Sequence, residues 1–216
     1  MIMRLKYAVL LGVTLSMALD LMAEVKLTEG LTYARYGTRE LQLDLFKPEN
    51  QKQPLPAIVC IHGGGWKSGT RKNFRKTARY LAERNYITVS ITYRLSGEAP
   101  FPAHIQDCKA AVRWLRANAE AYGIDPQRIG AIGHSAGGHL VARMGCAGVL
   151  PAPLANRVRR ITSLSGIHDL RPLLLTRMND ILRLSEDEAS AESPALLPPL
   201  KGLPLTTWVG SEERPE

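Results

Sequence analysis

The chain has 216 residues, which is enough for one domain of moderate size with a single packed core. Its composition is 45% hydrophobic and 22% charged, which excludes collagen-like, coiled-coil and intrinsically disordered proteins. Three cysteines without a Cys-x-x-Cys pair exclude a disulfide framework and a zinc ribbon. The net charge of +8 would suit a polyanionic partner, but no base-reading motif accompanies it, so we predict no nucleic-acid binding.

The N-terminal segment has the pattern of a secretory signal peptide. Two basic residues precede an apolar run over residues 7–19, which is too short to span a bilayer comfortably. The candidate cleavage sites follow Ala18 and Ala23, so we assign residues 1–23 to the signal and residues 24–216 to the mature domain. This assignment predicts export to the periplasm or the medium, with no stable membrane partner after cleavage. An uncleaved anchor and a buried N-terminal helix are the alternatives.

Apolar patterns divide the remaining chain into strands. Leu41, Leu43 and Leu45 alternate with polar residues, which predicts a half-exposed strand. Continuous apolar runs predict five strands buried on both faces, at residues 56–61, 86–92, 128–133, 158–164 and 205–209.

Helical patterns separate these strands. The predicted helices cover residues 67–84, 105–123 and 136–144, and a turn is predicted at 125–126. Strands separated by helices of this length predict a three-layer α/β fold with a mostly parallel sheet. Residues 167–199 form an irregular insertion, which we expect to be a small cap over the sheet's edge.

The first predicted helix, over residues 67–84, is strongly basic. It holds seven cations and one acid, while Phe74, Ala78, Leu81 and Ala82 recur at helical spacing on one face. We interpret the basic outer face as a solvated surface. Steering of an anionic substrate or an envelope polymer is the alternative.

A Gly-x-Ser-x-Gly pattern follows the predicted strand at 128–133. Ser135 is its serine, and Gly133 and Gly137 flank it. A serine in a sharp strand-to-helix turn has a strained backbone, and its neighbours two residues away must lack side chains so that strand and helix can approach. The pattern therefore predicts Ser135 as a nucleophile.

A His-Gly-Gly-Gly-Trp run, residues 62–66, follows the predicted strand at 56–61. The glycines would let the backbone approach a reacting carbonyl, with amide N–H groups directed at the oxyanion. The N–H of Ala136 and the start of its helix would add their positive dipole. We therefore predict Gly64, Gly65 and Ala136 as oxyanion donors.

Together these motifs resemble the α/β-hydrolases of the hormone-sensitive-lipase-like group, including small bacterial esterases and arylformamidase relatives. The resemblance runs from about residue 32 to residue 216 and also rests on residues 93–95, 107, 125–129, 165–170, 193–194 and 209–216. It implies hydrolysis of carboxylic esters, or of an activated formamide, by Ser135 with no cofactor or metal.

The resemblance places the triad acid after the strand at 205–209, which implies Glu213, with Glu212 as the alternative. The triad histidine would follow the acid, yet all five histidines precede it. We expect the last strand and the histidine-bearing segment to lie beyond Glu216; a naturally truncated, inactive relative is the alternative.

The five histidines of the chain therefore receive other predicted roles. His62 is expected to brace residues 63–65, here called the glycine loop. His134 and His139 are expected to line the pocket or to pack beside it. His104 is expected to be exposed at a helix start. His168 could replace the missing base only in an unrelated geometry.

Four further side chains receive predicted roles. Trp66 is assigned to substrate binding together with His134, with packing as an equal alternative. Arg94 and Asp107 are expected to pair, and Cys60 to be a core residue rather than a nucleophile.

The function favoured by the sequence is an exported serine esterase that acts on small carboxylic esters. Arylformamidase chemistry and removal of acetyl or feruloyl groups from carbohydrate are the enzymatic alternatives. A non-catalytic α/β module that keeps the fold for binding is the alternative from another class.

Overall fold

A seven-stranded sheet organises the chain in a computed structural model that describes residues 22–150 and 158–212. Two antiparallel pairings form one edge of the sheet, and the other four pairings between neighbouring strands are parallel. The predicted α/β class with a mostly parallel sheet is confirmed. Residues 1–21 of the predicted signal peptide, and Glu213, lie outside the described residues.

The strands run β1 Val25–Tyr36, β2 Arg39–Pro48, β3 Leu55–Ile61, β4 Ile87–Ile91, β5 Ile124–His134, β6 Arg160–Leu164 and β7 Leu205–Trp208. Their order in the sheet is β1-β2-β4-β3-β5-β6-β7. The α-helices are α1 Arg75–Ala82, α2 Ala103–Ala117, α3 Ala119–Tyr122, α4 Ala136–Met144, α5 Asn179–Leu182 and α6 Glu186–Ala191. Short 3-10 helices cover Arg71–Phe74, Arg171–Leu175 and Pro194–Leu196.

Both faces of the sheet bear apolar side chains. On one face, the strand residues that include Val59, Ala131 and Ile161 pack with α2 and α4 in the main core. On the other face, α1 covers Phe46 and Cys60 in a smaller core. The free cysteine Cys60 is fully buried, as predicted.

The strand pattern differs from the prediction at four places. β2, predicted as half-exposed, is also buried at Asp44 and Phe46 on its other face, and β7, predicted as buried on both faces, is exposed at Leu205 and Trp208.

β1 was not predicted, and it pairs with β2 in an antiparallel ladder that has two register shifts. β5 begins at Ile124, so the segment 125–126 predicted as a turn lies within it. The predicted helix end near Gly123 is confirmed, because Gly123 ends α3 with the left-handed φ of 70°.

The basic helix is partly an internal anchor, which corrects the interpretation of its whole basic face as solvated. Asp44 on β2 is fully buried, and Arg71 and Arg75 each reach it at 2.7 Å. The backbone N–H of Gly30 donates a third bond to Asp44 at 3.0 Å. Two of the seven cations, one on α1 and one on the 3-10 helix before it, therefore tie this basic segment to the antiparallel edge of the sheet.

The predicted pair of Arg94 and Asp107 is confirmed as a buried, two-pronged ion pair. The guanidinium contacts the Asp107 carboxylate at 2.7 and 3.0 Å, and the backbone N–H of Arg94 donates to it at 2.9 Å. The contact joins the end of β4 to α2, and Arg94 also lies over the Tyr36 ring at 3.5 Å.

The insertion at residues 167–199, here called the 167–199 segment, folds into short helices that lie beside α4. Its two ends are joined by the fully buried Ser193, which accepts a hydrogen bond from the N–H of Leu170 and donates one to the carbonyl of Ala189, both at 2.7 Å. Within residues 22–150 and 158–212, no helix has the length and apolar character that a membrane crossing needs.

Candidate active site

Ser135 lies at the sharp turn between β5 and α4 that the sequence predicted. Its φ of 54° and ψ of −120° form a strained conformation for a residue with a side chain. The backbone N–H of Ser135 donates to the Leu164 carbonyl of β6 at 2.9 Å, which holds the turn against the neighbouring strand.

The flanking glycines leave no room for side chains. A Cβ atom at Gly133 would overlap the Gly137 carbonyl, and a Cβ atom at Gly137 would overlap the Ile61 carbonyl at the end of β3. Strand β5, helix α4 and strand β3 can therefore meet directly below Ser135 only because both positions are glycine.

The glycine loop follows β3 and lies beside the turn because β3 and β5 are parallel neighbours, with Ile61 paired to Gly133. A Cβ atom at Gly63 would lie 3.0 Å from the Ser135 Cβ and 2.8 Å from the His134 carbonyl oxygen. Gly64 and Gly65 have φ angles of 112° and 58°, which favour glycine. The structure thus brings together the two motifs that lie far apart in the sequence.

The backbone N–H and carbonyl groups of the glycine loop differ in their hydrogen bonding. Within the described part of the chain, the N–H groups of Gly64 and Gly65 donate no hydrogen bond, whereas the Gly64 carbonyl accepts from Lys67 and Ser68. Ala136 is the first residue of α4, where an amide has no intrahelical acceptor. These observations fit the predicted donors, whose catalytic role remains a prediction.

An open cavity of about 750 Å³ contains Ser135. The exposed His134 and the Leu164 side of β6 line it, together with Gly63, Gly64 and the first turns of the basic segment. Gly65 is not among its lining residues.

Trp66 does not line this cavity, because its side chain is fully buried and its indole N–H donates to His139. The structure therefore corrects the assignment of Trp66 to substrate binding and supports its packing role.

No histidine in the described ranges is hydrogen-bonded to the Ser135 hydroxyl. His62 is fully buried, stacks on Tyr93 at 4.4 Å, and its Nδ1 lies 2.7 Å from the Gly63 carbonyl oxygen. Burial lowers the pKa of His62 below its usual value. This contact with the loop backbone agrees with the predicted bracing role of His62.

His168 is engaged below the turn rather than at the nucleophile. Ser163 donates its one hydroxyl proton to the Gly138 carbonyl at 3.1 Å. The Nε2 of His168, 3.0 Å from the Ser163 Oγ, therefore donates its proton to that oxygen. In this arrangement His168 supports α4 and is not available as a base.

His104 corrects another expectation, because it is fully buried rather than exposed. Its Nε2 lies 3.2 Å from the Ser96 hydroxyl, and its ring packs against Phe101 with centroids 4.5 Å apart. Burial lowers its pKa to about 4. Its position at the start of α2 suggested exposure, but α2 is covered there by the loop before it.

The predicted acid follows β7. Glu213 lies outside the described residues, and Glu212 is exposed in the turn that follows β7. β7 is the parallel neighbour of β6, so its carboxyl end lies on the same sheet edge as Ser135. Glu213 therefore remains a prediction, with Glu212 as its alternative.

Sequence reasoning missed one contact at the glycine loop. A Cβ atom at Gly65 would lie 3.2 Å from the Sδ of Met178, which precedes α5 in the 167–199 segment. No motif marks a lone methionine in an irregular insertion. Among the described residues, no cluster of three or more His, Cys, Asp or Glu side chains could hold a metal ion.

Comparison with known proteins agrees with this geometry. The carboxylesterase NlhH of Mycobacterium tuberculosis is 37% identical over 126 residues, which cover 58% of this chain and 39% of NlhH. The arylacetamide deacetylase of Bos taurus is 35% identical over 48% of this chain and 27% of its own length. The chain thus spans well under half the length of these curated relatives.

Solved structures match over more of the chain. A candidate thioesterase from Silicibacter sp. TM1040 has 34% identity and a TM-score of 0.75, covering 88% of this chain and 68% of that chain. The thermophilic esterase Est2 of Thermogutta terrifontis has 26% identity and a TM-score of 0.66, covering 88% and 82%.

The sheet order, the serine turn and the glycine loop define an α/β-hydrolase of the hormone-sensitive-lipase-like group. Within that class, the chain belongs to the BD-FAE family, which matches residues 43–174.

Proposed function

We propose that the protein is a serine hydrolase that cleaves small carboxylic esters. The observation that carries the proposal is the contact between the strained Ser135 turn and a glycine loop whose Gly64 and Gly65 amides are unused. Such amides stabilise the charge that develops on a carbonyl oxygen in acyl transfer. The esterase names of the relatives support the same class of reaction.

In the proposed reaction, the Ser135 Oγ attacks the acyl carbon of the ester and transfers its proton to a base. The carbonyl oxygen becomes an oxyanion that accepts hydrogen bonds from Gly64, Gly65 and Ala136. Collapse of this intermediate breaks the bond to the alcohol, which leaves with the proton from the base. Water then hydrolyses the acyl-serine by the same steps and releases the carboxylic acid.

The base is proposed to be a histidine, the group that takes the serine proton in triads of this kind. The described contacts of His62, His104, His139 and His168 direct their rings to other partners, and His134 is not bonded to Ser135. Glu213 is the proposed carboxylate that orients this histidine. The greater length of the curated relatives is compatible with the proposal.

Two other substrate classes are alternatives to simple carboxylic esters. Arylformamidase chemistry and removal of acetyl or feruloyl groups from carbohydrate would use the same nucleophile. A binding module would need no unused amides beside Ser135. Export directed by residues 1–23 is a further proposal, which N-terminal sequencing of the protein recovered outside the cytoplasm would test.

The experiment uses the protein expressed from its complete gene. We expect hydrolysis of p-nitrophenyl acetate and covalent labelling by a fluorophosphonate, both abolished by Ser135→Ala. Ser190→Ala, at a half-buried serine of α6, is the matched control and should retain both. Labelling that survives Ser135→Ala, or is missing from the unchanged protein, would contradict the proposal. N-formylkynurenine and acetylated or feruloylated sugars then rank the substrate classes.

A further inference from the structure

His139 occupies a buried position between the glycine loop and the 167–199 segment. It lies on α4, one turn after Ser135, and its backbone N–H donates to the Ser135 carbonyl at 2.9 Å. The side chain is fully buried. Its ring meets those of Trp66 and Phe101 edge-on, with centroids 5.2 and 6.0 Å apart.

The hydrogen bonds of His139 fix one form of its ring. The Nε1–H of Trp66 donates to the His139 Nδ1 at 3.3 Å, and an indole nitrogen can only donate. The Nε2 lies 2.8 Å from the Glu192 carbonyl oxygen, which can only accept. The ring is therefore neutral, with its proton on Nε2, and burial lowers its pKa to about 3.

Trp66 links this ring to the glycine loop. It follows Gly65 directly and continues the run of positive φ angles, with 57° at a residue that carries a large side chain. That conformation is costly, so it persists only where surrounding contacts impose it. The indole is fully buried, and its bond to His139 is the one polar contact that the described residues provide for its N–H.

Glu192 anchors the other end of the connection. Besides accepting from His139 through its carbonyl, its carboxylate meets the Arg143 guanidinium at 3.1 Å. Arg143 lies four residues after His139 on α4, so the backbone and side chain of one residue in the 167–199 segment bind two successive turns of the helix. The segment, the helix and the glycine loop thus share one set of contacts.

We infer that His139 is a positioning residue that holds the oxyanion-binding amides of Gly64 and Gly65 in place through Trp66, with the 167–199 segment fixing its ring. The inference rests on the proposed hydrolase function. His139 touches no reacting atom; it acts by orienting the loop. Because oxyanion donors act mainly in the transition state, loss of this support should lower kcat more than it raises KM.

The test measures kcat and KM for p-nitrophenyl acetate in the intact protein. We expect His139→Leu to lower kcat by roughly 10- to 100-fold with KM changed less than about threefold. His139→Gln can accept from Trp66 and donate to Glu192, so it should recover most of the loss. His104→Leu is the matched control: it removes an equally buried histidine that does not contact Trp66, and kcat should stay within about threefold.

A second variant keeps the inference testable if His139→Leu does not fold. Trp66→Phe removes only the N–H donor and the outer part of the ring, and it should lower kcat with the same KM pattern. An equal kcat in Trp66→Phe and the unchanged protein, or an equal loss in His139→Leu and His104→Leu, would overturn the inference while leaving the proposed function intact. No Ser135-dependent turnover in the unchanged protein would overturn both.

Discussion

Gly63 sets the distance between the glycine loop and the serine turn. A Cβ atom at this position would lie 2.8 Å from the His134 carbonyl oxygen and 3.0 Å from the Ser135 Cβ, which is closer than real side chains allow. The nearest atoms belong to the backbone and to the strained Ser135, so neither could move aside without a large cost in free energy. The chemistry proposed for Ser135 therefore depends on a missing methyl group at residue 63.

Gly63→Ala should separate the loop from Ser135 and lower kcat by about 100-fold, the size of effect expected when an oxyanion donor is displaced. Gly97→Ala is the control, because a Cβ atom there meets nothing within 4 Å. Steady-state kinetics of both variants with p-nitrophenyl acetate checks the expectation. Equal kcat values for the two variants would show that the loop tolerates the added group.

Buried histidines give the protein a predicted sensitivity to acid. Burial lowers the pKa of His139 to about 3 and that of His104 to about 4, whereas an unfolded chain has a value of about 6.5. Below about pH 6.5 the unfolded state binds protons that the folded state does not, so stability is complete above that pH and falls as pH decreases. Each histidine contributes a slope of about 1.4 kcal/mol per pH unit in this window.

Urea unfolding of the unchanged protein and of His104→Leu at several pH values between about 7 and 5 measures this slope. We expect a shallower decline for His104→Leu, because one of the depressed groups is gone. Identical slopes would mean that His104 is protonated in the folded state as readily as in the unfolded chain.

At the scale of elements, Asp44 couples the antiparallel edge of the sheet to α1. Its fully buried carboxylate receives Arg71, Arg75 and the Gly30 amide, whereas Glu29, which also pairs with Arg75, is about half exposed. Removing one partner of a buried ion pair lowers the stability of the fold considerably, whereas removing one partner of an exposed pair lowers it little.

Asp44→Asn should lower the free energy of unfolding by about 2–3 kcal/mol, because the partly exposed arginines recover some hydration after the charge is lost. Glu29→Gln should change it by less than about 1 kcal/mol. Denaturant titration of the two variants provides the comparison. Equal losses would indicate that the Asp44 cluster contributes no more than a surface ion pair.

Ser193 closes the 167–199 segment on itself. Ser193→Ala would leave the buried N–H of Leu170 without its acceptor, at a cost of about 1–3 kcal/mol. We expect faster hydrogen exchange confined to this segment, with the sheet unchanged. Ser190→Ala should not have this effect. If the amides of the 167–199 segment exchange equally fast in Ser193→Ala and Ser190→Ala, the anchoring role of Ser193 is contradicted.

For the whole molecule, the sequence predicts the elements that have a regular period or a fixed motif. Residues 136–144 are predicted and observed as a helix with identical bounds, because the Gly-x-Ser-x-Gly turn fixes its start. β1 escapes prediction because register shifts after Thr28 and Thr32 break the alternation that identifies a strand. The position of a residue within a helical pattern does not show which other segments pack over it. His104 was therefore expected to be exposed, although the loop before α2 buries it.

In the candidate site too, local motifs could be predicted from the sequence and long-range contacts could not. Ser135 and the glycine loop come from local motifs, and parallel pairing of β3 and β5 brings them together as the predicted fold requires. The contacts of Trp66 with His139 and of Gly65 with Met178 join segments far apart in the chain. Such contacts arise from packing in three dimensions, and no spacing rule in one sequence encodes them.

Ser135 is proposed to face the unused amides of the glycine loop, and its catalytic role depends on this arrangement. The most direct measurement is a crystal structure of the intact protein after reaction with an organophosphate ester. We expect phosphorus bonded to the Ser135 Oγ, with a phosphoryl oxygen about 2.7–3.1 Å from the amide nitrogens of Gly64, Gly65 and Ala136. An unmodified Ser135, or an adduct whose oxygens all point away from those nitrogens, would contradict the account.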